Sequence, residues 1–584
     1  MDAGMWLAGG SFEAPASTVR TSGVWHPTGA RVRVVAEGEV SALVAGVCRA
    51  SDGEIGRVAR MVAQGRTAAI VTLDGSYWMA VTDLARARTV VAGDLAETRA
   101  VYATHTGRGP AWATDVAMLA AQLGCGPDLE LLAAQVAVGS AGHWPRRSVW
   151  EGIERVPGGH ALVLERGTCR TVDVRPRPDS RTMKDGAEEV GSALRGAAQA
   201  YAREAGERVS ADLSGGLDSS SVVVAAAEVT QVVAVTYGGP LADRVDTDLA
   251  ERVAQYTGVE HHVSPGGAAT AHFLRWPDSL PPAPSMPVSS YALDADYLTP
   301  ARNVSPLHLT GHGGDVVLES SPAAWTSLVQ AGQRRRARAA VTALARRVNQ
   351  APGPLWKAVQ EAAHGRPRAM ARAAEALADN RMLGDGLSAW SWCPVGAASA
   401  WLTPLGRETV SRMLDESGST VGEVDAGEWD DWSALTHNGS VLRDSAPVYV
   451  EHGVVQVSPF LDNEVVRACL SIGAGERRQP DVYKPLLALA LPYLPAWLVG
   501  RNSKGHFGPL LYEGLRTRQQ QLHELIDASG LVAAGLVDPA PVHATLTGVV
   551  SGTGRHPLPA LETFLTTSWW LSRVAAPVTA AGAR

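Results

Sequence analysis

Cysteine is scarce in this chain: five among 584 residues, at Cys48, Cys125, Cys169, Cys393 and Cys469. No two form a C-x-x-C pair, which argues against a zinc ribbon, a thioredoxin-type site and a disulfide framework. Basic charge is not in excess. The 52 Lys+Arg against 59 Asp+Glu leave a net charge of -7, the wrong sign for a nucleic-acid binder. Long hydrophobic runs are missing too. The longest apolar stretch, Val222 to Val235, is broken by Glu228, Thr230 and Gln231 and cannot span a bilayer. Met1-Asp2-Ala3-Gly4-Met5-Trp6 has no basic region followed by an apolar one, so no signal peptide is expected and the chain reads as cytoplasmic. Sixty Gly and 35 Pro occur without a Gly-X-Y period, which removes collagen. Phenylalanine is rare, five against 17 Trp, a ratio whose readings are core filling and peptide contact.

What is present is a globular composition, 46% hydrophobic and 19% charged. Length alone suggests about three to four domains, but the pattern reads as two. Residues 1–175 form an α+β unit on antiparallel sheet. Ala68–Leu73 and Ser76–Val81 are β-rich runs flanking Asp74-Gly75, which predicts a hairpin there. Strands are expected at Thr89–Ala92 and Ala100–Ala103, and helices at Ala113–Leu123 and Glu130–Val138. A strand and turn are expected over Ile153–Val163. Arg175-Pro176-Arg177-Pro178 reads as a linker. From 180 to 584 the pattern changes. A helix at Ala187–Ala205 leads to a strand at Arg208–Leu213, a helix at Ser219–Glu228, a strand at Val232–Tyr237 and a helix at Asp246–Thr257. That alternation predicts an α/β domain with a parallel sheet, and the remainder is mostly helical. The Arg-rich segment Arg334–Arg372 is either a solvated helix face or a docking surface for an acidic peptide or partner.

The most informative segment is Leu213-Ser214-Gly215-Gly216-Leu217-Asp218-Ser219-Ser220, between a strand and a helix. Two glycines allow a tight turn that aims backbone N–H groups outward, and the helix adds the positive end of its dipole. Ser214, Ser219 and Ser220 add hydroxyl donors. An anion at Asp218 inside an anion-binding loop makes sense if it holds Mg²⁺ bridging phosphates. The bland alternative is a Gly-Gly turn capped by Ser and Asp, but the strand-to-helix context favours a phosphate site. No Lys closes the segment, so it is not the P-loop of kinases and GTPases.

The segment resembles instead the pyrophosphate loop of ATP-pyrophosphatase enzymes, which release PPi and form an acyl-adenylate. Gly311-His312-Gly313-Gly314-Asp315 resembles that superfamily's second acidic motif. Pro459-Phe460-Leu461-Asp462 resembles the P-F-L-D element of asparagine synthetases, and Arg501-Asn502-Ser503-Lys504-Gly505 their R-x-x-K loop. Within residues 1–175, Asp74-Gly75, Asp83, Gly93-Asp94 and Gly152-Ile153 through Pro157-Gly158 resemble the glutamine-amidotransferase domain. The resemblance implies an N-terminal Ntn-type sandwich followed by an ATP-pyrophosphatase domain. It implies ATP and Mg²⁺ as cofactors, with Asp218 and Asp315 as metal ligands. The loop from Ser214 through Gly215, Gly216 and Leu217 to Ser220 holds the phosphates, together with Gly311. Adenine lies near Thr236-Tyr237, Lys484 is a further phosphate contact and Lys504 stabilises the oxyanion.

Two departures carry information. The amidotransferase nucleophile is a Cys at position 2; Asp2 stands there, and no Cys precedes Cys48. Glutamine hydrolysis is therefore not expected, and the first domain reads as scaffold. Asparagine synthetases read G-E-G-x-D where His312 occurs, and β-lactam synthetases have a Tyr there. The related G-V-E-x-x-x-P is Gly453-Val454-Val455-Gln456-Val457-Ser458-Pro459 here, with Val455 for Glu. A His can act as base near neutral pH, which makes His312 a candidate; the alternative is a hydrogen-bonded loop residue. The combination looks like the lasso-peptide macrocyclases. That resemblance implies a precursor core peptide as substrate, adenylated on an Asp or Glu side chain and closed by its own N-terminal amine. It also implies a leader peptidase and a leader-recognition protein as associates. The helical half and the Arg334–Arg372 region are candidate pocket walls. A small-molecule amide or β-lactam synthetase and an inactive scaffold are the competing readings.

Overall fold

The computed structural model describes residues 5–139, 142–177, 181–302, 304–383, 390–501, 505 and 508–575. The N-terminal part is two six-stranded antiparallel sheets. One runs Glu154–Val156, Val101–Thr106, Gly109–Ala113, Ala8–Gly10, Val24–Pro27, Thr18–Thr21 across its width. The other runs Thr168–Asp173, His160–Glu165, Arg88–Ala92, Gly75–Asp83, Val40–Cys48, Val32–Glu37. Leu43, Ala45, Trp78 and Ala80 of the second sheet pack with Leu7, Val101 and Trp112 of the first. The alternate residues Ala42, Val44, Tyr77 and Met79 face the other way, as the two-residue period of a strand requires. They do not meet solvent. They join one cluster with Val190, Leu194 and Tyr201 of helix Met183–Ala205 and with Val465 and Cys469 of helix Asn463–Leu470. Sandwich and C-terminal part therefore share a hydrophobic core.

The hairpin expected at Asp74-Gly75 does not form. Residues Thr67–Val71 are a 3₁₀ helix with Ala69, Ile70 and Val71 buried, and strand Gly75–Asp83 pairs with Val40–Cys48 instead. A short apolar run has no period that separates a strand from a buried helical turn. Gly75 itself has φ +125, and a Cβ there would stand 2.0 Å from the Val47 carbonyl oxygen.

The C-terminal part carries a five-stranded, all-parallel sheet. Its order is Glu260–Val263, Gln231–Thr236, Arg208–Asp212, Leu307–Leu309, Val455–Val457. The chain grows from Arg208–Asp212 toward one edge, then returns to build the other. The order reverses between Arg208–Asp212 and Leu307–Leu309, and ligands of open α/β sheets bind at the carboxyl end of such a reversal. The two three-residue strands were not visible in the sequence.

Helices fill the remainder. Helix Leu129–Val138, read above as part of the N-terminal unit, packs Leu131, Leu132 and Val136 with Met413, Phe564, Leu565 and Trp570 of the C-terminal helices. Tryptophan does fill the core. Trp112, Trp325 and Trp570 are fully buried. Several indoles donate to carbonyls of distant segments, Trp570 to Pro281 at 2.8 Å and Trp144 to Met413 at 3.1 Å, so one side chain supplies both volume and a hydrogen bond. The arginine-rich segment is three helices, Arg334–Arg347, Pro352–Ala362 and Arg366–Ala378. Arg334, Arg335, Arg338, Arg346 and Arg347 are exposed, while Arg366 is fully buried, bonded to the Ser417 carbonyl at 2.8 Å. Among the described residues, no helix is long and apolar enough to cross a membrane.

Candidate active site

The loop after strand Arg208–Asp212 turns at Gly215, whose φ of +71 favours glycine and whose missing Cβ would lie 2.1 Å from the Asp246 carbonyl oxygen. Gly216 is the cap residue of helix Leu217–Ala227. Ser219 Oγ accepts from Ser214 N at 3.1 Å and lies 3.0 Å from Ser214 Oγ, so these hydroxyls brace the loop. The second motif lies directly on this one. A Cβ at Gly311 would stand 2.4 Å from Ser219 N, and one at Gly314 2.4 Å from the Asp218 carboxylate. Only glycine permits that approach, which brings Asp315 to the same point as Asp218.

Lys484 completes the arrangement. Its Nζ contacts Asp218 and lies 2.8 Å from Asp315 Oδ1. Its side chain is 1% exposed, against 15% for Asp218 and 47% for Asp315. Tyr483 OH donates to Asp315 Oδ1 at 2.8 Å, and the ammonium lies 4.9 Å from the Tyr483 ring centroid. Lys484 has φ +48, a strained backbone for a non-glycine residue. The two carboxylates thus both meet the Lys484 ammonium. That donor set fits Mg²⁺, which takes one or two carboxylates and completes its shell with phosphate oxygens and water. No cluster of three or more His, Cys, Asp or Glu that could hold a metal ion occurs among the described residues.

These groups border a cavity of about 570 Å³. Ser214, Gly216, Leu217, Asp218, Ser219, Thr236, Gly311, His312, Asp315 and Lys484 line it. Gly215 and Ser220 do not. Ser220 is fully buried in the first turn of its helix, so its hydroxyl is not placed to donate into the cavity. Lys504 lies outside the described residues, but Arg501 and Gly505 line the cavity and both bond to Asp246, Gly505 N at 3.2 Å. No residue of Arg334–Arg372 reaches the cavity; those helices pack elsewhere, and the expectation that they wall it is corrected.

His312 Nε2 lies 2.9 Å from the Asn438 carbonyl. A carbonyl only accepts, so Nε2 carries the proton and Nδ1 the lone pair. Burial pushes the imidazole below its ordinary pKa, with the Asn438 bond opposing, so His312 is neutral near pH 7.

Other residues in the wall carry no sequence motif. Asp294 is fully enclosed, and burial pushes its carboxyl up to about 8 against a 3.1 Å bond from Ser290 Oγ. Asp212 is fixed by fully buried His308, whose Nε2 lies 2.9 Å from Asp212 Oδ1 and whose Nδ1 lies 2.9 Å from Ser210 Oγ. His272 and Glu562 border the same cavity and are 3.1 Å apart. Asp462 of the P-F-L-D element is not in the cavity wall. It is completely buried and receives Arg49 at 2.6 and 3.1 Å, Gly75 N at 3.1 Å and Tyr201 OH at 3.2 Å. It bolts the sandwich to the parallel-sheet part, and Asp74 beside it accepts from Arg467.

No curated protein sequence matches the chain. Among solved structures, an allosteric regulatory enzyme of purine biosynthesis shares 11% identity over 41% of this chain and 64% of its own, with a TM-score of 0.18. The glutamine phosphoribosylpyrophosphate amidotransferase from B. subtilis shares 10% over 41% and 51%, also with a TM-score of 0.18. The chain therefore covers less than two thirds of either protein, and likeness at that level adds nothing to the fold described above. The asparagine synthase family model, by contrast, matches residues 189–572, from within helix Met183–Ala205 to within helix Leu558–Ala575. The chain belongs to the asparagine synthase family.

Proposed function

We propose that the chain is an ATP-dependent amide-forming ligase that adenylates a side-chain carboxylate of a peptide and joins it to that peptide's N-terminal amine, releasing AMP and PPi. The observation that carries this reading is the convergence of Asp218, Asp315 and buried Lys484 at one point beside the first turn of helix Leu217–Ala227. A helix N-terminus and a glycine turn receive phosphate. Asp218 and Asp315 would hold Mg²⁺, which when bound neutralises charge on the departing pyrophosphate. Lys484 stands ready to follow the phosphates. Val235, Thr236 and Tyr237 offer a wall for the adenine. The substrate carboxylate attacks the α-phosphorus, and the resulting mixed anhydride is opened by the amine. His312 accepts a proton at Nδ1, and Lys504 is assigned to the oxyanion.

Space favours a peptide over aspartate and ammonia. Met286 and Val441 line both the 570 Å³ cavity and a neighbour of about 170 Å³. Tyr102, Trp150 and Arg443 line that neighbour and a third cavity of about 960 Å³ bordered by the sandwich. A chain of spaces along helix Ala426–Glu451 can seat a peptide ordered before closure, a step that costs conformational entropy and needs a template. The N-terminal sandwich, held by Asp462, serves as scaffold, and a leader peptidase and leader-recognition protein are proposed associates.

The test is to supply ATP with leader-free peptides carrying an N-terminal Gly and one Asp or Glu. Loss of one water from the peptide mass, with AMP and PPi, is expected. Turnover with aspartate and ammonia but with no peptide would replace the peptide reading with a small-molecule synthetase.

A further inference from the structure

The reaction proposed above removes two protons from the acceptor nitrogen, and His312 accounts for one. A peptide amine has a pKa near 8 and arrives mainly as ammonium. It must shed one proton to become a nucleophile and a second as the C–N bond forms.

His272 and Glu562 are 290 residues apart in sequence and share the cavity wall. His272 Nδ1 lies 3.1 Å from Glu562 Oε1 and 3.2 Å from Ser289 Oγ, and Ser289 Oγ lies 2.5 Å from Glu562 Oε1. Ser289 Oγ also lies 2.9 Å from the Met286 carbonyl oxygen; its one hydrogen serves one of these two acceptors, and its oxygen is open to a donor on Nδ1. Nδ1 must carry a proton to bond Glu562, which leaves the lone pair on Nε2. Among the described residues no group hydrogen-bonds Nε2, and it is not one of the sealed, unpartnered polar atoms of the interior. The ring is held from behind. His272 N donates to the Leu510 carbonyl at 3.3 Å, and its own carbonyl lies where a Cβ at Gly514 would be 2.0 Å away. Carboxylate on one ring nitrogen, open lone pair on the other, is how an imidazole base is oriented and its cation stabilised. The Ser210–His308–Asp212 chain has similar order but is unsuited, because Ser210 and His308 are fully buried and both ring nitrogens are engaged.

We propose that His272, positioned by Glu562 and Ser289, takes the first proton from the acceptor ammonium, and that His312 takes the second. The N–H bond of the ammonium breaks and its proton goes to His272 Nε2. The freed lone pair forms the bond to the acyl carbon. The C–O bond to AMP breaks with its electron pair leaving on AMP, and the remaining surplus proton on nitrogen goes to His312 Nδ1. Both protons then return to solvent. This assignment rests on the amide-forming reading. It divides the labour between an imidazole oriented by Glu562 and one oriented by the Asn438 carbonyl.

The test uses His272→Asn, whose amide keeps a donor toward Glu562, and Glu562→Gln. Each is assayed with a leader-free peptide that supports ATP–PPi exchange in the wild type. Hydroxylamine, unprotonated at pH 7, is the second nucleophile. Exchange and hydroxamate formation should stay near wild type in both variants. Amide formation from the peptide amine should fall by about 10²–10⁴ in His272→Asn, the usual contribution of a general base, and by a smaller factor in Glu562→Gln. An unchanged amide rate in His272→Asn overturns the proposal. So does loss of exchange and hydroxamate together in both variants, which would make the pair structural. If no peptide supports exchange in the wild type, the amide-forming reading fails first and this base fails with it.

Discussion

Replacing Lys484 by Met keeps the stem and removes the ammonium from between two carboxylates. The Nζ is 2.8 Å from Asp315 Oδ1, also contacts Asp218, and is 1% exposed. Unit charges about 4 Å apart attract by about 4 kcal/mol at an effective dielectric of 20. The Asp315 share is screened to at most about 1 kcal/mol, since that carboxylate is 47% exposed. The Asp218 share is protected. Breaking a buried pair from one side costs about 3–5 kcal/mol. Lys484→Met should therefore lower the urea midpoint by an amount worth about 3–5 kcal/mol. Millimolar Mg²⁺ should recover part of that loss in the variant and change the wild type little, because a divalent cation would meet the same two carboxylates. ATP–PPi exchange should disappear. A midpoint shift worth less than about 1 kcal/mol with no response to Mg²⁺ would refute the claim that these three side chains form one electrostatic unit.

Other expectations follow from single contacts. Burial raises Asp294 to about 8, so the folded protein keeps a proton that the unfolded chain releases above about pH 4. The stability from that proton is complete below pH 4 and drains as pH rises to 8. In Asp294→Asn the drain is absent, so urea midpoints should move in the variant's favour by up to about 4 kcal/mol between pH 5 and 8; parallel pH dependence in the two proteins would contradict this. Gly314→Ala places a Cβ 2.4 Å from the Asp218 carboxylate and should cost at least about 10² in ATP–PPi exchange, with the far-ultraviolet circular dichroism unchanged. Asp462→Ala leaves Arg49 with Glu464 at 2.9 Å but takes the acceptor from Gly75 N and Tyr201 OH, which should cost about 1–3 kcal/mol, visible as faster proteolysis between the sandwich and the parallel-sheet part.

The motifs were legible because each is a short run under tight local constraint. Gly215, Gly311 and Gly314 sit where a Cβ would strike backbone or carboxylate, so the glycines announce close approach. The central strands and the helix after the loop were legible from their periodicity, and Arg208–Asp212, Leu217–Ala227 and Gln231–Thr236 lie within a residue or two of expectation. Tertiary pairing was not legible. Thr67–Val71 has a strand's composition but is a helical turn, because Gly75–Asp83 takes Val40–Cys48 as its partner. Asp462 belongs to a recognised motif, yet its work is to receive Arg49 from 413 residues away. His272 and Glu562 carry no motif at all. They meet only because helix Leu558–Ala575 folds back onto the segment around Ser289.

We propose that this site splits ATP between its α- and β-phosphates to activate a carboxylate. Radiolabelled PPi exchange into ATP tests it most directly, run with a carboxylate-bearing peptide on the wild type and on Asp218→Asn. Peptide-dependent exchange in the wild type, with AMP as the nucleotide product and loss in the variant, is the predicted result. ADP and inorganic phosphate as products, or exchange that survives Asp218→Asn undiminished, would contradict the account.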